Sequence, residues 1–299
     1  MRTTPSRARR HTTAMAVVTV AALTMVAGCG DEQPTATEPS ASATSASTSP
    51  SPDASPSQSA SETSIGSTPV EVYYVVDTRA GLRLAREQRE VPADDPTAGG
   101  IAAMIAGADD PDYTTTWNRA TQVLGVTQEG RTVTVDLSAD ARTADVGSEG
   151  AALMVQQLVY TATQGDPKAR VQLLIEGQPA GDLWGTVSWT GPVRRADPLD
   201  VRQLVQIDTP TEGATVSSPV TVSGDAAAFE ATVPWRVLDD RGKVVQKGFT
   251  NAAEAFTFSP YSFTVELDPG TYTIEVREDD PSGGEGGKPT VDTRSVTVS

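Results

Sequence analysis

From Gly30 to Thr68 the chain is built almost wholly from Ser, Thr, Ala, Pro and a few acids, with Ile65 its only large aliphatic residue, and at Val70 that composition ends abruptly. The break decides which part can fold. A stretch this poor in apolar side chains cannot bury enough surface to offset the entropy of ordering it, so residues 29–68 are expected to form a disordered tether. Chain statistics give its reach: roughly 40 residues span about 35 Å in the root mean square, and up to ~120 Å if drawn into polyproline II. The folded part lies downstream, and it is long enough for two hydrophobic cores.

Upstream of the tether, Arg2, Arg7, Arg9 and Arg10 precede an apolar, small-residue run from Ala14 to Gly28. That is the order of a secretory signal, and the run is shorter than the roughly 20 residues a membrane-spanning helix needs. Residues 1–28 are therefore expected to be cleaved. Val26-Ala27-Gly28-Cys29 resembles the bacterial lipobox. The resemblance implies that the Cys29 thiol is diacylated and becomes the new N-terminus, with two acyl chains on a thioether-linked glycerol and often a third, palmitate-type chain on the amine. Two chains suffice for stable anchoring where one does not. The competing reading is an ordinary signal peptide with an incidental cysteine.

Cys29 is the only cysteine, so no disulfide is available and burial alone must hold the fold together. The formal net charge is −16, and removing residues 1–28 takes away four of the 23 basic residues and none of the 39 acidic ones. So acidic a protein is repelled by nucleic acids and by anionic polymers and lipids, which excludes nucleic acid as a partner class.

Between Val70 and Gly177 the pattern predicts β, β, α, β, β, α, β. "VEVYYVVD" (70–77) and "GLRLAREQREVP" (81–92) are dense in strand formers. A helix begins at Asp95-Pro96-Thr97 and carries Ile101, Met104 and Ile105 at helical spacing. Residues 121–138 read as a hairpin turning at Gln128-Glu129-Gly130. A second helix is predicted from Ser148, as N-cap, to Thr163, with Leu153, Met154, Leu158, Tyr160 and Ala162 on its apolar face. "KARVQLLIEG" (168–177) is a final strand. Helices covering one sheet make an α+β or α/β sandwich. "VEVYYVV", "REQREVP", "VTVDLSADA" and "LVYTATQGDPKARVQLLIEGQP" together resemble the GerM-type domain of sporulation and spore-germination proteins. That resemblance implies a secreted or membrane-anchored envelope protein and brings no catalytic residues with it.

Beyond a joining segment, 181–203, come seven short strand-like runs, at 204–207, 220–222, 235–238, 244–248, 261–266, 271–276 and 294–298, separated by turn signals such as Asp239-Asp240-Arg241-Gly242. This spacing predicts a β-sandwich. "IDTPTEGATVSSPVTVSGDAAAFEATVPWRVLDDRGKVV" and "FSPYSFTVELDPGTYTIEV" resemble the immunoglobulin-like domain that accompanies GerM-type domains, here without a cysteine pair beside Trp235.

Chemistry is sparse. The only histidine, His11, precedes the cleavage site, so Ser-His-Asp and Cys-His catalysis and His- or Cys-ligated zinc are excluded from the mature chain. The lysines, Lys168, Lys243, Lys247 and Lys288, sit in no nucleophile or phosphate-loop pattern. What remains for an enzyme is a carboxylate pair drawn from Asp94, Asp95, Asp109, Asp110, Asp112, Asp136 and Glu176, with Asp136 foremost as an acid directly after a strand run and a strand-end turn its plainer role. Asp109-Asp110-Pro111-Asp112 and Glu278-Asp279-Asp280 lack the spacing of a calcium loop and read as ordinary acidic turns. Trp117, Trp184 and Trp189 could stack on wall sugars, although core packing is the plainer role.

The sequence thus reads as a lipoprotein signal (1–28), a tether (29–68), a GerM-type α+β domain (69–180), a linker (181–203) and an immunoglobulin-like all-β sandwich (204–299). The expected protein is non-enzymatic, without cofactor or metal. It is anchored at the extracytoplasmic face of the cell membrane through diacylglycerol on Cys29 and binds an envelope protein or peptidoglycan. The alternatives are a carboxylate-dependent wall-glycan hydrolase and a solute-binding lipoprotein.

Overall fold

The computed structural model describes residues 66–280, 285 and 287–299. Residues 1–65, and with them the signal, Val26, Ala27, Gly28, Cys29 and nearly all of the tether, lie outside the described residues.

The first domain opens with a long ribbon, β1 (Ser67–Thr78) paired antiparallel with β2 (Gly81–Pro92) in register from Ser67↔Pro92 to Thr78↔Gly81. Both faces of β1 are buried. Val70, Val72, Tyr74 and Val76 enter the main core, while Tyr73 and Val75 join Leu84, Leu153 and Tyr160 in a smaller cluster. α1 (Pro96–Ala106) starts where the sequence places it, with the Asp95 side chain accepting from the Ala98 amide and Pro96 in the first turn. Ile101, Met104 and Ile105 are buried.

β3 (Val123–Glu129) and β4 (Thr132–Leu137) form the expected hairpin, but β3 continues through Gln128 and Glu129, which were expected in the turn. The turn falls at Gly130-Arg131, because Gly130 supplies the left-handed φ of 57° that the tight reversal needs. α2 (Ser148–Ala162) buries Leu153, Met154, Leu158, Tyr160 and Ala162 as expected. Its N-cap is Gly147, not Ser148, and no side chain caps it. The capping residue needs extended backbone, which Gly147 has (φ −72°, ψ 177°), and Ser148 is already helical.

α2 is the crossover between parallel strands β4 and β5 (Arg170–Ile175). One sheet was expected and two are found: the β1–β2 ribbon stands alone, and β3, β4, β5 and β6 (Gln178–Pro179) form the other, with β9 (Val193–Arg194) also on β5. The ribbon extends no further because its edges are taken by irregular chain, β1 by Thr114 opposite Val75 and β2 by Arg202 opposite Leu84 and by the Gln206 carboxamide at Arg86.

The stretch 181–203 has structure of its own. β7 (Gly181–Leu183) pairs with β8 (Val187–Trp189), and Leu183 and Trp189 are buried in the main core. A short α3 (Pro198–Val201), capped by Asp197, leads into the second domain.

That domain is a sandwich of β10 (Val205–Thr209), β12 (Val220–Ala226) and β15 (Ser259–Val265) against a five-stranded sheet. The larger sheet runs in the order β11 (Ala214–Val216), β17 (Val291–Val298), β16 (Gly270–Arg277), β13 (Thr232–Asp239) and β14 (Val244–Asn251). Seven strands were expected and eight are found. The extra one, β11, is three residues long and pairs parallel with the far end of the chain, so no local alternation announces it. The core is held by Val222, Val237, Ile274, Val276 and their neighbours, and Trp235 stacks on Phe263 at 4.7 Å. All described residues belong to one compact unit.

Candidate functional site

The two domains meet along the outer side of β2 and the loop after α1, and the contact is made by buried charges. Arg86, on β2, is held between both domains. Its Nε and Nη2 donate to the two oxygens of Asp208 at 2.8 and 2.6 Å, and its Nη1 donates to Asp225 at 3.1 Å. The Gln206 carboxamide pairs with the backbone of the same residue, accepting from Arg86 N at 3.0 Å and donating to Arg86 O at 2.7 Å. Arg202 adds a second guanidinium to Asp225 at 2.8 Å. Burial pulls the Arg86 guanidinium down, but the hydrogen bond to Asp208 and the charges of Asp225, Asp208 and Glu71 more than reverse it, so Arg86 stays charged.

A second knot lies alongside. The Arg294 Nη1 donates to Asp110 at 2.6 Å and to Asp292 at 3.3 Å, while its Nη2 donates to the Tyr113 hydroxyl at 3.1 Å and to Ile207 O at 2.8 Å. Tyr113 donates to Asp292, and the other Asp292 oxygen accepts from Ile207 N at 2.5 Å. Asp110 and Asp292 are each 2% exposed. Burial raises both carboxyls, with the Arg294 charge opposing it, and Asp110 is pushed up to about 7. A buried charge is tolerated only when paired and hydrogen-bonded, and each group here has partners on both counts.

This placement corrects the reading of the acidic segments as ordinary turns. In the first, Asp110 is a buried ion-pair partner, Asp112 accepts from Thr293 at 2.7 Å, and Asp109 pairs with Arg89 at 3.2 Å. In the second, Glu278 is buried and pairs with Arg79 of the first domain at 3.0 Å. Asp239-Asp240-Arg241-Gly242 is a hairpin turn as expected, with Asp239 accepting from the Arg241 and Lys243 amides.

Of the candidate catalytic acids outside the junction, Asp136 and Glu176 come near one another, at the ends of the parallel strands β4 and β5. Asp95 caps α1, Asp136 accepts from Gly177 N at 3.0 Å, Glu176 sits in the turn after β5, and Asp94 is exposed. Among the described residues no group of three or more His, Cys, Asp or Glu side chains is placed to hold a metal ion. Trp117 and Trp189 are buried, and Trp184 packs edge-on against Trp117 at 5.5 Å while donating to Ala141 O. Trp117 and Trp189 therefore offer no open stacking face, while Trp184 is half-buried.

A cleft of about 490 Å³ opens beside the junction, lined by Glu87, Arg89, Glu90, Asp208, Thr211 and Glu212 among others. Its walls are charged, unlike the apolar enclosure a small solute needs. Sequence reasoning missed Arg86, Asp208, Asp225, Tyr113, Asp292 and Arg294. One signal existed: on β17 the residues Asp292, Arg294, Val296 and Val298 share one face by the two-residue period, so two charges stand on the side that buries the valines.

Residues 71–181 match a family model described as sporulation and spore germination, and residues 204–285 match one described as the immunoglobulin-like domain of bacterial spore germination. Among solved structures, the tandem GerMN domains of the sporulation protein GerM from Bacillus subtilis align with TM-score 0.38 and 16% identity over 44% of this chain. The chain spans 46% of that protein's length. The first GerMN domain of the same protein aligns with TM-score 0.36 and 19% identity, covering 44% of this chain and 99% of that one. A putative lipoprotein from Clostridium perfringens aligns with TM-score 0.32 and 17% identity, covering 46% and 94%. No curated protein matches the chain. The chain thus carries, in this order, a segment that matches the sporulation and spore-germination family over residues 71–181 and one that matches the immunoglobulin-like domain of bacterial spore germination over residues 204–285.

Proposed function

We propose that this chain is a non-enzymatic cell-envelope protein, lipid-anchored through Cys29 at the extracytoplasmic face, whose two coupled domains bind an envelope protein or a wall component. The observation that supports it most is the use made of the acids. Asp95 caps a helix, Asp136 accepts from a turn amide, and Asp109 and Asp110 pair with arginines, so these candidate catalytic carboxylates have structural uses that need no reaction to explain them. The family descriptions name a developmental process and no reaction.

Anchoring is tested by growing producing cells with an alkyne-tagged fatty acid. Label is expected in the wild-type protein and absent from Cys29→Ala. An unlabelled wild-type chain, or one that still starts at Met1, would overturn the anchor. The hydrolase alternative is tested on purified wall, where wild type and Asp136→Asn are expected to release equal, background amounts of reducing sugar. Release by wild type that Asp136→Asn abolishes would establish an enzyme instead.

A further inference from the structure

On the side of the first domain where β5, β9 and the loop before β5 come together, five cationic side chains, Arg131, Lys168, Arg170, Arg194 and Arg195, line a hollow of about 460 Å³ that no acid lines. In a chain of net charge −16 this needs a reason. Arg170 and Arg194 are direct partners across the antiparallel β5–β9 ladder, a placement that costs stability when the charges are alike. Among the described residues neither of them, nor Lys168, has an ion-pair partner, and only Arg131 is answered, by Asp166 at 3.3 Å.

Arg195 forms the inner wall. Its Nε donates to the Thr163 hydroxyl at 2.8 Å and its Nη2 to Tyr160 O at 2.9 Å, and its guanidinium lies 4.5 Å from the centre of the Tyr160 ring. It has no carboxylate within ion-pair distance, and burial lowers it from its ordinary value. Arg195 is thus a half-buried guanidinium, hydrogen-bonded but without a counter-ion, beside three exposed cations that have none either.

We infer that this hollow binds a compact phosphate-bearing ligand through Arg131, Lys168, Arg170, Arg194 and Arg195. Planar guanidinium forks suit the paired oxygens of phosphate, and a group carrying close to two charges answers several cations at once where a single carboxylate answers one. The ligand must be compact. Beyond a screening length of about 8 Å the acidic remainder of the molecule governs, so a long polyanion is repelled while a small one at the hollow is attracted. The phosphate can be free or on a lipid headgroup. The inference does not depend on lipid anchoring or on the absence of catalysis.

The test is calorimetric titration of the full-length protein with inorganic pyrophosphate at low salt, compared with citrate and with the Arg170→Gln/Arg194→Gln variant. Saturable one-to-one binding is expected, at least tenfold tighter than citrate and at least tenfold weakened in the variant. Both substituted residues are exposed, and an unchanged or higher melting temperature shows that the variant folds. Co-sedimentation with phosphatidylglycerol vesicles that pyrophosphate competes away identifies a headgroup as the source; binding of pyrophosphate without co-sedimentation identifies a soluble one. Absence of saturable binding, equal binding of citrate, or binding that the variant retains would overturn the inference.

Discussion

Arg86 carries much of the junction. Its side chain is 10% exposed and its partners Asp208 and Asp225 are 24% and 17% exposed, so removing the guanidinium strands Asp208 with little water and leaves Asp225 to Arg202 alone. Truncating one partner of a buried pair costs about 3–5 kcal/mol, and the water left to these carboxylates favours the lower end. Arg86→Ala is expected to lose about 3 kcal/mol in urea unfolding. Asp110 gives a pH dependence of definite sign. Its folded value is raised to about 7 from 3.8. The native state then holds a proton that the unfolded chain has released, so this contribution is full below about pH 4 and is lost as pH rises toward 7, by at most about 1.4 kcal/mol per pH unit. Wild-type stability is expected to fall between pH 5 and pH 8 more steeply than that of Asp110→Asn, whose amide cannot titrate. A variant with the same slope would assign the titration elsewhere.

At the level of elements, what could be read was what local period and turn chemistry decide. The apolar stripe of α2 and the Asp95-Pro96 start of α1 are statements about neighbouring residues, and both stand in the structure. β11 and the isolation of the β1–β2 ribbon depend on partners far along the chain, and no local pattern contains them. The charged junction falls between these cases: the face of β17 signals that Asp292 and Arg294 are buried, but their partners Tyr113 and Asp110 lie 179 and 184 residues away. Two element-level outcomes follow. Gly224, on β12, approaches β10 so closely that an added Cβ would sit 1.8 Å from the Gln206 carbonyl oxygen. Gly224→Ala must therefore shift one strand and is expected to cost about 3 kcal/mol in denaturant unfolding. Arg194→Gln removes the like-charge pair between β5 and β9 and is expected to stabilise by about 0.2–1 kcal/mol.

For the whole molecule, the division into two families and the single compact unit describe different things. Each domain has its own hydrophobic core, yet the surface between them buries paired charges that neither could leave uncovered alone. For the binding role proposed above such coupling is useful, because two surfaces held in a fixed relation reach a partner without the entropy of aligning them. The most direct measurement is scanning calorimetry of the full-length protein, wild type beside Arg86→Ala/Arg294→Met. A single transition, with calorimetric and van't Hoff enthalpies equal, is expected for wild type, and two resolved transitions for the double variant. Two independent transitions in the wild type, unchanged by the substitutions, would contradict the coupling of the domains through buried charge.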